Sequence, residues 1–376
     1  KSGRPVFLRD SLWREPEKIL KEYPVVLSTT YTARSSLGKN AKFDYVIMDE
    51  ASQVDVATGC LALSCAANAV IVGDTKQLSN VVTTEQRKSL AEIFEKYNIA
   101  EAYDFARHSF LSSLCELMKE RIPKVTLREH YRCHPLIIGF CNQKFYNGEL
   151  IIMTPDHGEK ALKLVLTVPG RHERDHMNQR QIDVIKKTVL PDIAFPEAEI
   201  GMTAPYRNQA RKMEKDLNCP QIDISTVHKF QGREKDAIVL STVDDIVTPF
   251  SDDPNLLNVA VSRAKKELIV VASEMEQPAG SNIGDLIDYI RYHNCEIQHS
   301  AVSSVFDYLY KQYREMRLDY LQKRGRISEY DSENLVYHLI RDELAERKEQ
   351  ALDVVFRQPL YLLIRDRSKL NGAERE

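Results

Sequence analysis

The 376-residue sequence predicts an α/β protein of two parallel-sheet lobes, the first of them incomplete, followed by an α-rich C-terminal tail. Three observations lead there. Short β-rich runs alternate with amphipathic helical stretches almost throughout, the pattern that lays helices on the faces of a parallel sheet. The length favours two or three domains, and 43% hydrophobic residues are enough for each to bury a core. Near Ser300 the alternation gives way to Tyr, Leu and charged residues at helical spacing.

In chain order, Ser11–Tyr23 reads as a helix, and strands are expected at Pro24–Thr29, Phe43–Met48 and Ala69–Val72. A helix at Phe110–Lys119 and a break near Arg121–Pro123 close the first domain, residues 1–122. Strands at Lys124–Leu127, Leu162–Leu166, Glu199–Ala204, Gln221–Ser225, Ala237–Ser241 and Glu267–Val271 build the second, residues 123–300. The tail, residues 301–376, should hold helices at Ser304–Lys323 and Asp331–Gln350 and a strand at Ala351–Ile364.

Composition removes several classes. The longest apolar run, around Leu61–Val72, is diluted by Ser64 and Asn68 and falls short of the roughly 18 residues that cross a bilayer. Seven cysteines, an odd number without a C-x-x-C pair, speak against a zinc knuckle or a disulfide framework and for reduced thiols in a cytoplasmic protein. A net charge of −3 excludes a general polycation but leaves room for a local basic groove. No secretory signal is visible, and the start at Lys1 leads us to expect a chain that opens partway through its first lobe.

The chemistry gathers at strand ends. Phe43–Met48 runs into Asp49 and Glu50 at the carboxyl edge, where open α/β sheets bind ligands. Asp49 suits a Mg²⁺ ion and Glu50 an attacking water; the plain alternative is a strand entering an acidic loop. One unit later Ala69–Val72 runs into Gly73, Asp74, Lys76 and Gln77, and Gln77, both donor and acceptor, suits a terminal phosphate and its water. Arg132 follows a strand, and Arg263 falls in a mostly apolar helix, as a core ion pair or as a guanidinium held toward a triphosphate. Between them, Ile224–Asp236 offers hydroxyls, Gly232 for close backbone approach and a carboxylate able to bind a ribose hydroxyl.

The segments D-E-A-S, G-D-T-K-Q-L, E-H-Y-R-C-H-P, T-V-H-K-F-Q-G-R-E and N-V-A-V-S-R-A-K, in that order over roughly residues 25–272, resemble motifs II to VI of superfamily 1 helicases, in the 5′-to-3′ subgroup that contains the nonsense-mediated-decay helicase. The resemblance implies two RecA-like P-loop NTPase lobes hydrolysing ATP with Mg²⁺ between them. Asp49, also the metal ligand, and Glu50 would be the Walker B pair, Gln77 the phosphate sensor, and Arg132 and Arg263 the arginine fingers, with Gly232 and Glu234 near the nucleotide. It further implies single-stranded nucleic acid as partner, with Thr30, Thr226 and His228 as backbone contacts. Tyr206 and Arg207, opening a helix after a strand, would add a phosphate contact. Capping for Thr30 and Arg207 and a packed turn for Tyr206 are the alternatives.

The family's G-x-x-x-x-G-K-S/T loop is missing. Gly38-Lys39 does not replace it, because Ala33 stands where the earlier glycine belongs and Asn40 follows the lysine. Without that cradle of backbone N–H groups, nucleotide binding should be weak and hydrolysis by this chain negligible, whereas an intact parent would hydrolyse ATP. In the tail, Ser328–Leu339 and the strand after it resemble the opening of a restriction-endonuclease-like domain, with Glu333 matching its helix glutamate; a helical tail covering the second lobe is the alternative. That likeness favours DNA over RNA. An RNA helicase of the same subgroup and a non-catalytic nucleic-acid-binding remnant stay open.

Overall fold

The computed structural model describes residues 5–8, 10–38, 41–170, 175–300, 331–346, 352–357 and 361–366. Lys1, Lys39 and the expected helix at Ser304–Lys323 lie outside the described residues. Two compact units emerge, one from Lys1–Tyr131, Cys141–Met153 and Pro254–Val259, the other from Arg132–Phe140, Thr154–Asp253 and Ala260–Glu376.

In the first unit β1 (Phe43–Met48) pairs in parallel with β2 (Ala66–Ile71), Met48 opposite Ile71. The crossover is the helix Val56–Leu63, whose N-terminus Asp55 caps by accepting the Thr58 N–H at 2.8 Å. Met48, Ala51, Ala62 and Phe110 form its small core, and Phe110 comes from the helix Phe110–Met118. A second parallel pair joins β3 (Glu129–His130) to β4 (Ile151–Ile152).

The second unit is built on β5 (Leu162–Thr167), β6 (Ile200–Ala204), β7 (Asp223–Thr226), β8 (Lys235–Ser241), β9 (Ala264–Ser273) and β10 (Glu296–His299). They form one six-stranded sheet in the order β10-β5-β9-β8-β6-β7, parallel throughout. Every residue of β5 and β6 is buried, as expected of strands covered on both faces, so these segments show no alternation. Val165, Ile182, Met202, Met213, Val239 and Val271 lie in the core. Beyond it come the helix Asp331–Glu346 and an antiparallel pair, β11 (Leu352–Arg357) with β12 (Tyr361–Asp366).

Several expectations are corrected. Pro24–Thr29 and Lys124–Leu127 are not strands, and Val25, Leu27, Val125 and Leu127 stand 76%, 92%, 85% and 83% exposed. Their β-forming residues express that preference only against a paired neighbour, and no described strand pairs with them. Pro16 splits Ser11–Tyr23 into Ser11–Arg14 and Pro16–Glu22, because proline starts helices but interrupts them. Within Ala351–Ile364 two strands are described rather than one; the expected helix Asp331–Gln350 is described over Asp331–Glu346, and its residues 347–350 lie outside the described residues. Arg263 is not helical: the helix Pro254–Ser262 stops before it and β9 starts after it. Glu333 lies in the helix Asp331–Glu346, with its side chain outside the described residues. No helix of the described residues is long and apolar enough to cross a membrane, and all seven cysteines are free thiols.

Candidate nucleotide and nucleic-acid sites

In the first unit the turn after β1 carries Asp49 and Glu50, both exposed. Asp49 Oδ1 accepts the Glu50 N–H at 2.9 Å, and Glu50 Oε2 accepts from Gln53 Nε2 at 3.1 Å. Glu50 sits at φ 52°, the left-handed region that ordinary residues avoid. The turn after β2 lies against it. A Cβ on Gly73 would come within 3.1 Å of Ala51 N and Ser52 N, tighter than side chains ordinarily pack, so glycine eases this approach. Ala51 N–H to Val72 O, 2.9 Å, and Asn80 N–H to Ser52 O, 3.2 Å, tie the two turns together.

The second turn is organised by Asp74. Its Oδ1 accepts the Lys76 N–H at 2.8 Å, while Oδ2 accepts from Gln77 Nε2 at 3.3 Å and from the Tyr146 hydroxyl at 2.6 Å. Asn258 Nδ2 donates to Tyr146 Oη and to Lys76 O, each at 2.8 Å. Burial, and then the Asp74 charge, push the Tyr146 phenol well above the ordinary tyrosine range, so it stays a donor.

In the second unit three segments are stitched side by side. Cys133 Sγ donates to Ser262 O at 3.3 Å, His134 N–H to Lys265 O at 2.7 Å, and Lys235 N–H to Arg263 O at 3.1 Å. Arg132, Glu234 and Arg263 are thereby brought together. Arg132 Nε meets Glu234 Oε2 at 2.6 Å, with both side chains about half exposed, whereas Arg263 is 4% exposed. Burial pushes the Cys133 thiol up to about 12 against the opposing pull of Arg132 and Arg263, which leaves it a packed thiol and not a nucleophile. Gly232 has φ 79° with open space where a Cβ would stand, so this glycine serves the backbone angle.

His134 Nε2 lies 3.4 Å from Asp156 and 3.5 Å from Glu159, a grouping with metal-ligand chemistry. Its Nδ1, however, accepts the Leu136 N–H at 3.2 Å at the start of the helix Pro135–Phe145. A neutral ring so bonded carries its proton on Nε2, the atom a metal would need bare. The cluster therefore reads as a helix cap steadied by two carboxylates.

The residues expected to meet nucleic acid are placed as follows. Tyr206 stacks on His176 at 4.3 Å, and its hydroxyl donates to Asp244 Oδ2 at 2.7 Å, with Thr248 Oγ1 2.9 Å away. Arg207 is exposed at the first position of the helix Arg207–Leu217. Thr226 ends β7 and precedes the short helix Val227–Phe230 without a side-chain cap bond. His228, on that helix, is partly buried, and burial lowers its pKa against the raising effect of Asp253. Thr30 is partly buried in a turn whose hydroxyl bonds join Ser28, Thr29, Thr32 and Ser36.

Residues 8–85 and 107–275 match two family models, each described as an AAA domain. An uncharacterized ATP-dependent helicase of Methanocaldococcus jannaschii is 26% identical over 291 residues, 68% of this chain and 40% of that protein. A DNA replication ATP-dependent helicase/nuclease of Arabidopsis thaliana is 28% identical over 284 residues, 69% of this chain and 21% of that protein. This chain belongs to the superfamily 1 helicase-like proteins. A regulator of nonsense transcripts 1 homolog of Neurospora crassa is 27% identical over 298 residues, 70% of this chain and 25% of that protein. The chain thus spans well under half the length of these relatives.

Within this helicase-like chain the expected residues gather as two sets, Asp49, Glu50 and Gln77 on the adjoining turns of the first unit, and Arg132, Glu234 and Arg263 in the second. Two residues escaped the sequence reading. Asn258 lies inside the N-V-A-V-S-R segment, whose arginine is its more obvious chemical group; Tyr146 follows the helix Pro135–Phe145 in Phe145-Tyr146-Asn147-Gly148, which reads as a plain turn.

Proposed function

We propose that this chain carries the motor core of an ATP-dependent helicase that translocates on single-stranded nucleic acid, with DNA preferred. The observation that carries the reading is the pairing of Arg132 with Glu234 beside buried Arg263, the separate motifs meeting in one place. Asp49 and Glu50 fit Mg²⁺: two hard oxygen donors stand exposed side by side at a strand's carboxyl end, in the turn that follows it. Asp49 would hold the ion and Glu50 would orient and deprotonate water, while the ion would offset phosphate charge. Arg132 and Arg263 would stabilise charge on the phosphates, and Gly232 and Glu234 would border the nucleotide. ATP fits less completely, because the sequence has no G-x-x-x-x-G-K-S/T loop to cradle its phosphates. Hydrolysis by this chain alone is therefore negligible.

Thr30, Tyr206, Arg207, Thr226 and His228 are proposed as backbone contacts, which bind largely without regard to sequence. Tyr206 acts through its ring or by holding the turn beside Arg207, since its hydroxyl is engaged by Asp244. The relatives are named for DNA replication on the one hand and nonsense transcripts on the other, so an RNA substrate is the second reading. The test is ATP turnover of this chain beside the protein expressed from its complete reading frame, each with and without single-stranded DNA or matched RNA. Turnover in the complete protein alone supports the motor reading; no turnover in either, with both folded, supports a binding module. Stronger stimulation by RNA reverses the substrate preference.

A further inference from the structure

Asp74 receives two side-chain donors on one oxygen, and they come from far apart in the chain. Gln77 is three residues away; Tyr146 is 72 residues away. Asn258 then holds Tyr146 Oη and, 182 residues from its partner, Lys76 O. Asp74, Lys76, Gln77, Tyr146 and Asn258 all belong to the first unit. The turn bearing Gln77 is thus gripped from both ends: Lys76 O by Asn258, Asp74 by Tyr146.

This arrangement is costly to build for packing alone. Asn258 is fully buried, and its Oδ1 has no hydrogen-bond partner among the described residues, although an apolar side chain would fill the same space. Phenylalanine would likewise pack where Tyr146 does, yet Tyr146 sets a partly buried phenol against the Asp74 carboxylate. Buried polar groups of this kind specify one orientation of what they hold, and here they hold the Asp74–Gln77 turn.

We propose that Tyr146 and Asn258 are positioning residues for Gln77: through Asp74 and Lys76 they fix the turn from which the Gln77 amide acts on the terminal phosphate and its water. The inference rests on the helicase reading of Gln77. Tyr146 and Asn258 do not touch the reacting atoms; they remove the freedom of the turn to point Gln77 elsewhere, and a misplacement near 1 Å can slow a reaction about a hundredfold.

The test uses the protein expressed from its complete reading frame and DNA-stimulated ATP hydrolysis, with kcat and KM for ATP separated. Tyr146→Phe should lower kcat about tenfold or more while KM stays within about twofold, the signature of an interaction realised in the transition state. Asn258→Ala should act in the same direction, and it carries the test should Tyr146→Phe fold poorly. In a Gln77→Ala background neither change should slow turnover further, because the group they orient is gone. An unchanged kcat in both variants, or the same fold loss with and without Gln77, overturns the inference and leaves the helicase reading standing. A wild-type protein without ATP turnover, or Gln77→Ala turning over at the wild-type rate, overturns both.

Discussion

Arg132 Nε lies 2.6 Å from Glu234 Oε2, joining residues about a hundred positions apart in sequence, each still about half open to solvent. Exposed ion pairs contribute little to stability, so this contact is better suited to orienting a guanidinium than to holding the fold. Arg132→Ala is expected to lower DNA-stimulated turnover of the complete protein by about 10³, in the range of an arginine finger, with the melting temperature near wild type. Steady-state kinetics beside a melting curve checks it; a large fall in melting temperature with little change in rate would make the pair structural.

Glu50 separates chemistry from backbone strain. Glu50→Gln keeps the shape of the turn, and should leave nucleotide binding largely intact while slowing hydrolysis by orders of magnitude in the complete protein. Glu50→Gly should be equally slow yet more stable by about 1 kcal/mol, since glycine tolerates the φ of 52° that glutamate adopts under strain. Chemical denaturation of this chain and a single-turnover assay of the complete protein read the two effects independently.

Val243 is a second strained position, at φ 70°, fully buried after β8. Its N–H donates to Gln181 Oε1 at 3.0 Å and its carbonyl accepts from Asn178 Nδ2 at 2.7 Å, while Ser241 Oγ donates to the same Gln181 oxygen at 2.6 Å. Gln181→Leu strands a buried N–H and a buried hydroxyl, and should cost about 3 kcal/mol in urea unfolding. Because the neighbouring Asp244 holds Tyr206, the same change should weaken single-stranded DNA binding.

Arg207 tests the proposed nucleic-acid contacts separately from the proposed nucleotide residues. Arg207→Ala should weaken single-strand binding to a similar degree for every sequence and lower the dependence of affinity on salt by about one phosphate's worth. Fluorescence anisotropy at several salt concentrations measures both; unchanged affinity and slope would assign Arg207 to solvent.

Glu296 on β10 stands opposite Lys163 on β5 and bonds Lys163 at 2.8 Å and Lys160 at 2.9 Å. These lysines, Lys163 first, hold its carboxyl below the ordinary glutamate value of 4.5. A depressed carboxylate stabilises the fold at neutral pH, and that contribution is lost as pH falls below 4.5 through the folded-state value. Glu267, raised chiefly by burial, carries the opposite sign, so the measurement is a difference: Glu296→Gln should flatten the fall of melting temperature below pH 4.5 relative to wild type. An identical slope would remove Glu296 from acid sensitivity.

The family, the succession of motifs and the buried strands of the second unit were legible in the sequence, because each depends on residues close together in the chain. Phe43–Met48 was read to the residue, its apolar run bounded by polar neighbours. Pro24–Thr29 and Lys124–Leu127 were not, since composition alone cannot say whether a β-forming segment finds a partner. Arg263 read as helical by its apolar neighbours, but β9 begins directly after it and takes the backbone out of the helix.

What the sequence by itself determined is the set of groups available for chemistry, with Asp49 and Glu50 after one strand, Gln77 after the next and the arginines in fixed order. Only the tertiary structure decided their pairings: Arg132 with Glu234, Gly73 against the Asp49–Ser52 turn, and Tyr146 and Asn258 on the turn of Gln77. Local pattern reports a residue's own backbone and burial, whereas these contacts span up to 182 residues and exist only once packing has brought the segments together.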